Sequence, residues 1–257
     1  MSKEKVIYYE NELEDEFSDS NITPRKIDGS YDYRGGIGRF FGRSVLYDVF
    51  AFPIAYTFLK LKYHHRIVNK ECLKKAKSTG FFLYGNHTNA IADAMMPMRL
   101  CYPNSAYVIV HPDNVSMPFL GKLTPSLGAI PLPDDKDAMR NFSEILEHHV
   151  KKKRCIAIYP EAHIWPYYTK IREFKDNSFR YPVQFDVPVY CFTNTYQRRK
   201  YGKTPRLVTY VEGPFYADKT LPIRRQREQL RNQVLETMKK YAKHSNVEVI
   251  QYRKKEE

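Results

Sequence analysis

The chain has 257 residues, 42% of them hydrophobic and 14% aromatic, and a formal net charge of +13. That length and apolar content exclude a disordered chain and allow one large domain, or two small ones, with a substantial core. The positive balance calls for an acidic partner, whether nucleic acid, anionic lipid or phosphorylated substrate, without choosing among them.

Residues 1 to about 35 are polar, with an acidic run, ENELEDEFSD, at 10–19 and no periodicity. They read as a flexible polar arm over 1–35. The start, MSKEKVIYYENELEDEF, lacks the apolar centre of a signal peptide. Next comes FFGRSVLYDVFAFPIAYTFLKL, from Phe40 to Leu61, bordered by Arg39, Lys60, Lys62 and Arg66. A spanning helix needs about 20 mostly apolar residues, and Arg43, Asp48 and Pro53 interrupt this stretch. The expectation is an amphipathic helical segment over 36–65 lying in a membrane interface. Packing on the chain's own core is the alternative, and a true span a third. The 21 tyrosines suit half-wet positions, such as interfaces and half-buried strands.

From residue 66 strand-like and helix-like pieces alternate. Strands are expected at 81–85, 105–110, 127–132, 154–159, 187–193 and 206–212. Helices are expected at about 89–100, 115–124, 135–152 and 222–243. The last carries Leu230, Val234, Leu235, Met238 and Tyr241 at helical spacing, a core stripe. The alternation predicts an α/β fold: a single domain over 66–257 with a mixed central sheet covered by helices. Cys72, Cys101, Cys155 and Cys191 are widely spaced with no Cys-x-x-Cys, so free thiols are expected and no metal site.

Chemistry concentrates at Phe81-Phe82-Leu83-Tyr84-Gly85-Asn86-His87, where a buried strand ends in a turn. His87 then lies at a strand end before a helix, where ligands collect in open α/β sheets. Asp93 follows with five residues between. On a continuous helix at about 100° per residue, the two side chains would lie roughly 120° apart. They can pair only if His87 sits in the loop and the chain turns back at the helix start. A capping turn with an exposed His and a solvated Asp is the alternative. His64-His65 and His148-His149 read as surface residues, and His111 follows a strand.

Asn86-His87…Asp93 resembles the first motif of the glycerolipid acyltransferases, the lysophosphatidic acid (1-acylglycerol-3-phosphate) acyltransferase family, whose pattern has four intervening residues. Leu127-Gly128-Ala129-Ile130 resembles the second motif. Tyr159-Pro160-Glu161 resembles the Phe-Pro-Glu opening the third, and Val187-Pro188-Val189 the fourth. The likeness runs from about residue 66 to 215. It implies transfer of a fatty acyl group from acyl-coenzyme A or acyl carrier protein to a lysolipid hydroxyl, in phospholipid synthesis. No cofactor, metal or nucleic acid is implied, and the place would be the cytoplasmic face of an anionic membrane. His87 would be the general base and Asp93 its orienting partner. Backbone N–H groups at the following helix start would hold the oxyanion. Asn86, Glu161, His163, Lys175 and Arg180 would contact substrate. The family's third motif continues Gly-Thr-Arg-Ser where this chain has Ala162-His163-Ile164-Trp165, and Asp134 falls at the second motif's usual Arg. Both phosphate-binding arginines are therefore absent; Lys170, Arg172, Lys175 and Arg180 are the nearby cations that could replace them. Two further readings accompany this one: a catalytically silent lipid-binding relative, and a basic nucleic-acid-binding protein.

Overall fold

The computed structural model describes residues 5–18, 22–35, 43 and 45–255. Phe40, Phe41, Gly42 and Ser44 of the expected interfacial segment, and Gly36 and Arg39 before them, lie outside the described residues. The strands are β1 Lys5–Tyr9, β2 Arg66–Val68, β3 Phe81–Gly85, β4 Ala106–Val110, β5 Ala129–Pro131, β6 Cys155–Ile158, β7 Val189–Gln197, β8 Arg206–Phe215 and β9 Ile250–Lys254. The helices are α1 Phe52–Tyr63, α2 Ala90–Cys101, α3 Leu120–Leu123, α4 Lys136–Lys151, α5 Arg180–Phe185 and α6 Ile223–Ala242.

Seven strands form one mixed sheet in the order β2-β8-β7-β3-β6-β4-β5. The run from β7 to β5 is parallel, β8 is antiparallel to β7, and β2 is parallel to β8. Side chains alternate across it, as the two-residue strand period requires. Phe82, Tyr84, Ile156, Ile158, Val189 and Cys191 meet α4 and α6 through Phe142, Leu146, Leu230, Val234 and Met238. Phe81, Leu83, Cys155, Ala157, Tyr190 and Phe192 meet α1 and α2 through Leu59, Tyr63, Ala92, Met96 and Leu100. With both faces covered, β3 and β6 are buried along their whole length, which is why they read as unbroken apolar runs.

Residues 5–18, expected as part of a flexible arm, instead join the folded body. β1 pairs in parallel with β9 near the other end of the chain. Tyr9 and Phe17 pack their rings on Trp165, whose Nε1–H donates to the Asp15 carbonyl at 2.8 Å. The polar composition concealed this because the aromatic residues are few and their partner strand lies some 240 positions away. Two histidines expected at the surface are buried, His65 at the end of α1 and His149 on α4. The His149 ring stacks on Tyr107 at 3.6 Å and accepts from Arg154 Nη1 at 3.1 Å. Burial, and then Arg154, depress its pKa to about 2, so it packs as a neutral ring. The four cysteines are free, three of them buried.

Candidate active site

Two loops at the carboxyl ends of β3 and β6 build the site. β3 ends at Gly85, where an added Cβ would lie 2.1 Å from the buried Phe192 ring. Only glycine lets the strand pass that ring and release the chain into Asn86-His87. Asn89 is extended (φ −158°, ψ 99°) and caps α2, its side chain accepting from the Ala92 N–H at 3.1 Å. The extended Asn89 lets the loop turn His87 back over the helix start. His87 Nδ1 therefore reaches Asp93 Oδ2 at 2.9 Å despite the longer spacing.

Asp93 is fully buried and saturated with donors. Oδ2 also accepts the Thr88 and Asn89 N–H groups, each at 2.8 Å, and Oδ1 accepts Asn194 Nδ2 at 3.1 Å. An acceptor-only carboxylate at Nδ1 places the imidazole proton there and leaves Nε2 as a lone pair. Among the described residues Nε2 has no hydrogen-bond partner, and the side chain is 17% exposed. The ring lies flat on Tyr159 at 4.5 Å, and the Tyr159 hydroxyl donates to the Asp93 carbonyl at 2.5 Å. The imidazole is thus held in one orientation with its basic nitrogen open, the arrangement that general-base chemistry requires.

The β6 loop clamps the His87 loop from behind. Glu161 Oε2 accepts the His87 N–H at 2.9 Å, the Trp165 N–H donates to the His87 carbonyl at 3.2 Å, and the Tyr167 N–H donates to the Thr88 carbonyl at 2.8 Å. Glu161 is buried against Arg172, whose backbone N–H donates to Oε1 at 3.1 Å and whose Nη2 lies 3.5 Å from Oε2. Arg172 Nη2 also donates to the His163 carbonyl, Nη1 donates to the Glu12 carbonyl at 3.2 Å, and the guanidinium covers Trp165 at 4.9 Å. Burial raises the Glu161 pKa, against the lowering charge of Arg172 and two backbone N–H groups.

This geometry moves several expected substrate contacts elsewhere. The Asn86 side chain is buried and bonds both ways to the Asn194 backbone, donating to its carbonyl at 3.0 Å and accepting its N–H at 2.7 Å. Glu161 is engaged as described, so both residues shape the loop rather than face solvent. Of the backbone N–H groups around the helix start, where oxyanion donors were expected, those of Thr88 and Asn89 are taken by Asp93, and among the described residues those of Ala90 and Ile91 have no hydrogen-bond partner. Arg172 is sealed away from any phosphate. His163 is half-exposed with Nδ1 3.4 Å from Glu16 Oε2. Lys175 is exposed. Arg180 lies at the start of α5 against Met139 and Tyr181, and among the described residues no hydrogen bond or ion pair joins it to the His87 loop. His111 is exposed beside Asp113. Asp134 Oδ2 accepts the Ile27 N–H at 2.6 Å, so it anchors the N-terminal arm.

Of the four motif blocks, Asn86-His87…Asp93 and Tyr159-Pro160-Glu161 meet at this site, whereas Val187-Pro188-Val189 lies at the amino end of β7 beside Phe82 and Leu127–Ile130 leads into the edge strand β5. A family model described as Acyltransferase matches residues 64–194, more than half of the chain. The chain belongs to the acyltransferase family. This acyltransferase also shares its fold with the crystal structure of the 1-acyl-sn-glycerophosphate (LPA) acyltransferase PlsC from Thermotoga maritima. The TM-score is 0.58 at 15% identity, covering 82% of this chain and 84% of that one. No curated protein sequence matches it.

The acyltransferase departs from the family pattern at Ala162 in an informative way. Its φ is +63°, the left-handed region that the family's glycine occupies freely. An L-residue there costs roughly 1–2 kcal/mol, partly offset by glycine's greater unfolded-state freedom. Ala162 is exposed, so no packing is lost with its methyl. Ala162→Gly is therefore expected to stabilise by about 0.5–1 kcal/mol and raise Tm by roughly 1–4 °C. Thermal melting of the two proteins checks this; a lower Tm for the glycine variant contradicts the strain.

The residues that sequence reasoning passed over are Arg172 as the partner of Glu161, Tyr159 under the imidazole, and Asn194 with Thr209 in the paired strands β7 and β8. One signal was available for Asn194. Thr193-Asn194-Thr195 interrupts an otherwise apolar strand, and buried polar groups in a sheet need partners.

Proposed function

We propose that this acyltransferase moves a fatty acyl group from acyl-coenzyme A or acyl carrier protein to the hydroxyl of a lysolipid, as a step of phospholipid synthesis. One observation carries the reading: an imidazole fixed through Nδ1 by a buried carboxylate, with Nε2 open at the sheet edge. Nε2 takes the proton of the acceptor hydroxyl as its oxygen attacks the thioester carbonyl. The oxyanion falls to the N–H groups of Ala90 and Ile91 at the start of α2, aided by the helix dipole. On collapse the thiolate leaves and receives the proton from His87. No covalent enzyme intermediate is needed, and burial raises the thiol pKa values of Cys155 and Cys191.

The acceptor follows from what the site lacks. Ile164 and Asp134 stand where the family's arginines would bind phosphate, and Arg172 is enclosed. Lysophosphatidic acid should therefore be used no better than a neutral or zwitterionic lysolipid, unless Lys175 and Arg180 replace the lost charge. Initial rates with each acceptor at equal concentration, repeated with Lys175→Ala and Arg180→Ala, decide this. A strong preference for lysophosphatidic acid that survives both substitutions overturns the account.

Attachment to the cytoplasmic face of an anionic membrane is supported by α1 and the π-helix Val45–Ala51 that leads into it. Phe50, Ile54 and Leu61 are 54%, 60% and 70% exposed, beside the exposed Lys60 and Lys62. Among the described residues no helix is long and apolar enough to cross a membrane. Each apolar side chain buried in lipid contributes about 1.5–3 kcal/mol. Ile54→Asp with Leu61→Asp should lower binding to anionic vesicles by an order of magnitude or more, and high salt should weaken binding further. Full-length protein that stays in the supernatant with such vesicles at low salt rules the attachment out.

A further inference from the structure

Asp93 is the end of a buried chain of hydrogen bonds that starts beyond the end of α1 and crosses β8 and β7 on the sheet face that α1 and α2 cover. His65 Nε2 lies 2.9 Å from Thr209 Oγ1, Thr209 Oγ1 lies 2.7 Å from Asn194 Oδ1, and Asn194 Nδ2 lies 3.1 Å from Asp93 Oδ1. All four side chains are buried. Asn194 and Thr209 stand opposite each other in the antiparallel β7–β8 register, so the sheet itself aligns the middle of the chain. His65 arrives because His64 adopts a left-handed conformation (φ 48°) and turns the chain off α1.

The direction of every bond is determined. Asp93 is a carboxylate and only accepts, so the Asn194 amide must present its NH2 to it and its carbonyl oxygen to Thr209. The Thr209 hydroxyl has one proton. It goes to that carbonyl at 2.7 Å rather than to the weak thioether acceptor of Met96 at 3.5 Å. His65 Nε2 must then carry a proton and donate to Thr209. Burial, followed by the positive charges of Arg99, Lys60 and Lys70, holds the His65 pKa down at about 4, so at neutral pH this is the neutral Nε2–H tautomer. Aligned donors in a dry interior polarise one another.

We propose that His65, Thr209 and Asn194 are positioning residues of the reaction, a one-way donor relay that fixes the Asp93 carboxylate and through it the His87 imidazole. The relay fills the one carboxylate oxygen that neither His87 nor the α2 start occupies. Without the Thr209 hydroxyl the Asn194 carbonyl has no donor, and the amide can flip to set oxygen against oxygen at Asp93. None of the three residues touches the open Nε2 face, so their effect falls on turnover rather than on substrate affinity. The proposal rests on His87 and Asp93 being the catalytic pair.

The experiment compares Thr209→Val, Thr209→Ser, Thr195→Val and His87→Ala in the full-length protein. Thr195 is the control: it is equally buried, on the same strand as Asn194, and its hydroxyl donates to the Val208 carbonyl outside the relay. Two readouts are taken, kcat with KM, and the low-field proton resonance of His87 Nδ1–H, identified by its loss in His87→Ala. Thr209→Val is expected to lower kcat about ten- to a hundredfold. Its KM should stay within about twofold, because the relay does not reach the substrate face, and the His87 resonance should shift. Thr209→Ser should restore both readouts, and Thr195→Val should change neither. Thr209→Ala carries the same comparison if the valine variant does not fold. Wild-type kcat and an unmoved resonance in Thr209→Val, or an equal kcat loss in Thr195→Val, overturn the relay. Retained activity in His87→Ala instead overturns the assignment of the catalytic pair, so the two failures are told apart.

Discussion

His87→Ala is expected to lower acyl transfer by about 100- to 10,000-fold while leaving the fold intact, the usual range for losing a general base. The fold should survive because the imidazole is partly exposed and its loop is held by its backbone. The His87 N–H and carbonyl bond to Glu161 and Trp165, and the neighbouring Thr88 N–H bonds to Asp93. None of these contacts uses the side chain that is removed. Asp93→Asn should be more damaging to both properties. An amide there sets its NH2, a donor, either against the His87, Thr88 and Asn89 donors or against the Asn194 NH2, so the α2 start, the His87 tautomer or the Asn194 contact is disturbed. Initial rates with saturating acyl donor, together with thermal melting, separate these outcomes. A His87→Ala protein with more than a third of wild-type turnover would remove His87 from the mechanism.

Arg172→Met is expected to destabilise the protein by about 3–5 kcal/mol, the cost of leaving a buried carboxylate without its charge partner. Glu161 would keep the backbone N–H groups of His87 and Arg172 but lose the guanidinium. The same guanidinium also joins the carbonyls of Glu12 and His163, so the N-terminal arm loses an anchor. The pH dependence has a definite sign. Burial already holds the Glu161 pKa above its ordinary value, and Arg172 is the first of the groups that lower it. Without Arg172 the folded-state pKa rises further above the unfolded one, so the folded protein binds the proton more tightly. The deficit is then fully present above the folded-state pKa and shrinks as pH falls through it toward the ordinary carboxylate value. Glu161→Gln in the Arg172→Met background should recover part of the loss. Urea titrations at neutral and mildly acidic pH measure this. A deficit that grows in acid, or one below about 1 kcal/mol, would show that the pair does not hold the loop.

The two predictions touch residues of different legibility. His87 and Asp93 could be read from the sequence because a strand end, a turn and a helix start are local signals. The extra residue between them was the obstacle, and the extended Asn89 resolves it by letting the loop fold back over α2. Arg172 was visible only as one of four cations following Glu161. A charge run looks the same whether it faces water or a buried carboxylate. What distinguishes it is the arm from Glu12 to Phe17, which closes over Trp165 and excludes solvent from the pair.

The chain's own pattern determined the expected strands from β3 to β8, the helices α2, α4 and α6, the single α/β domain and the membership of an acyltransferase family. These depend on unbroken apolar runs, a helical stripe and short motifs, all properties of neighbouring residues. β1, β2, β9 and the burial of His65 and His149 were decided only by the tertiary structure. So were the engagement of Asn86 by Asn194 and the relay through Thr209. Each joins groups distant in sequence, and a polar side chain carries no mark of whether water or another buried group will satisfy it. The sheet decides that by setting Asn194 opposite Thr209 and bringing Asn194 beside the end of β3, where a buried polar group left unpaired would cost about 1–3 kcal/mol.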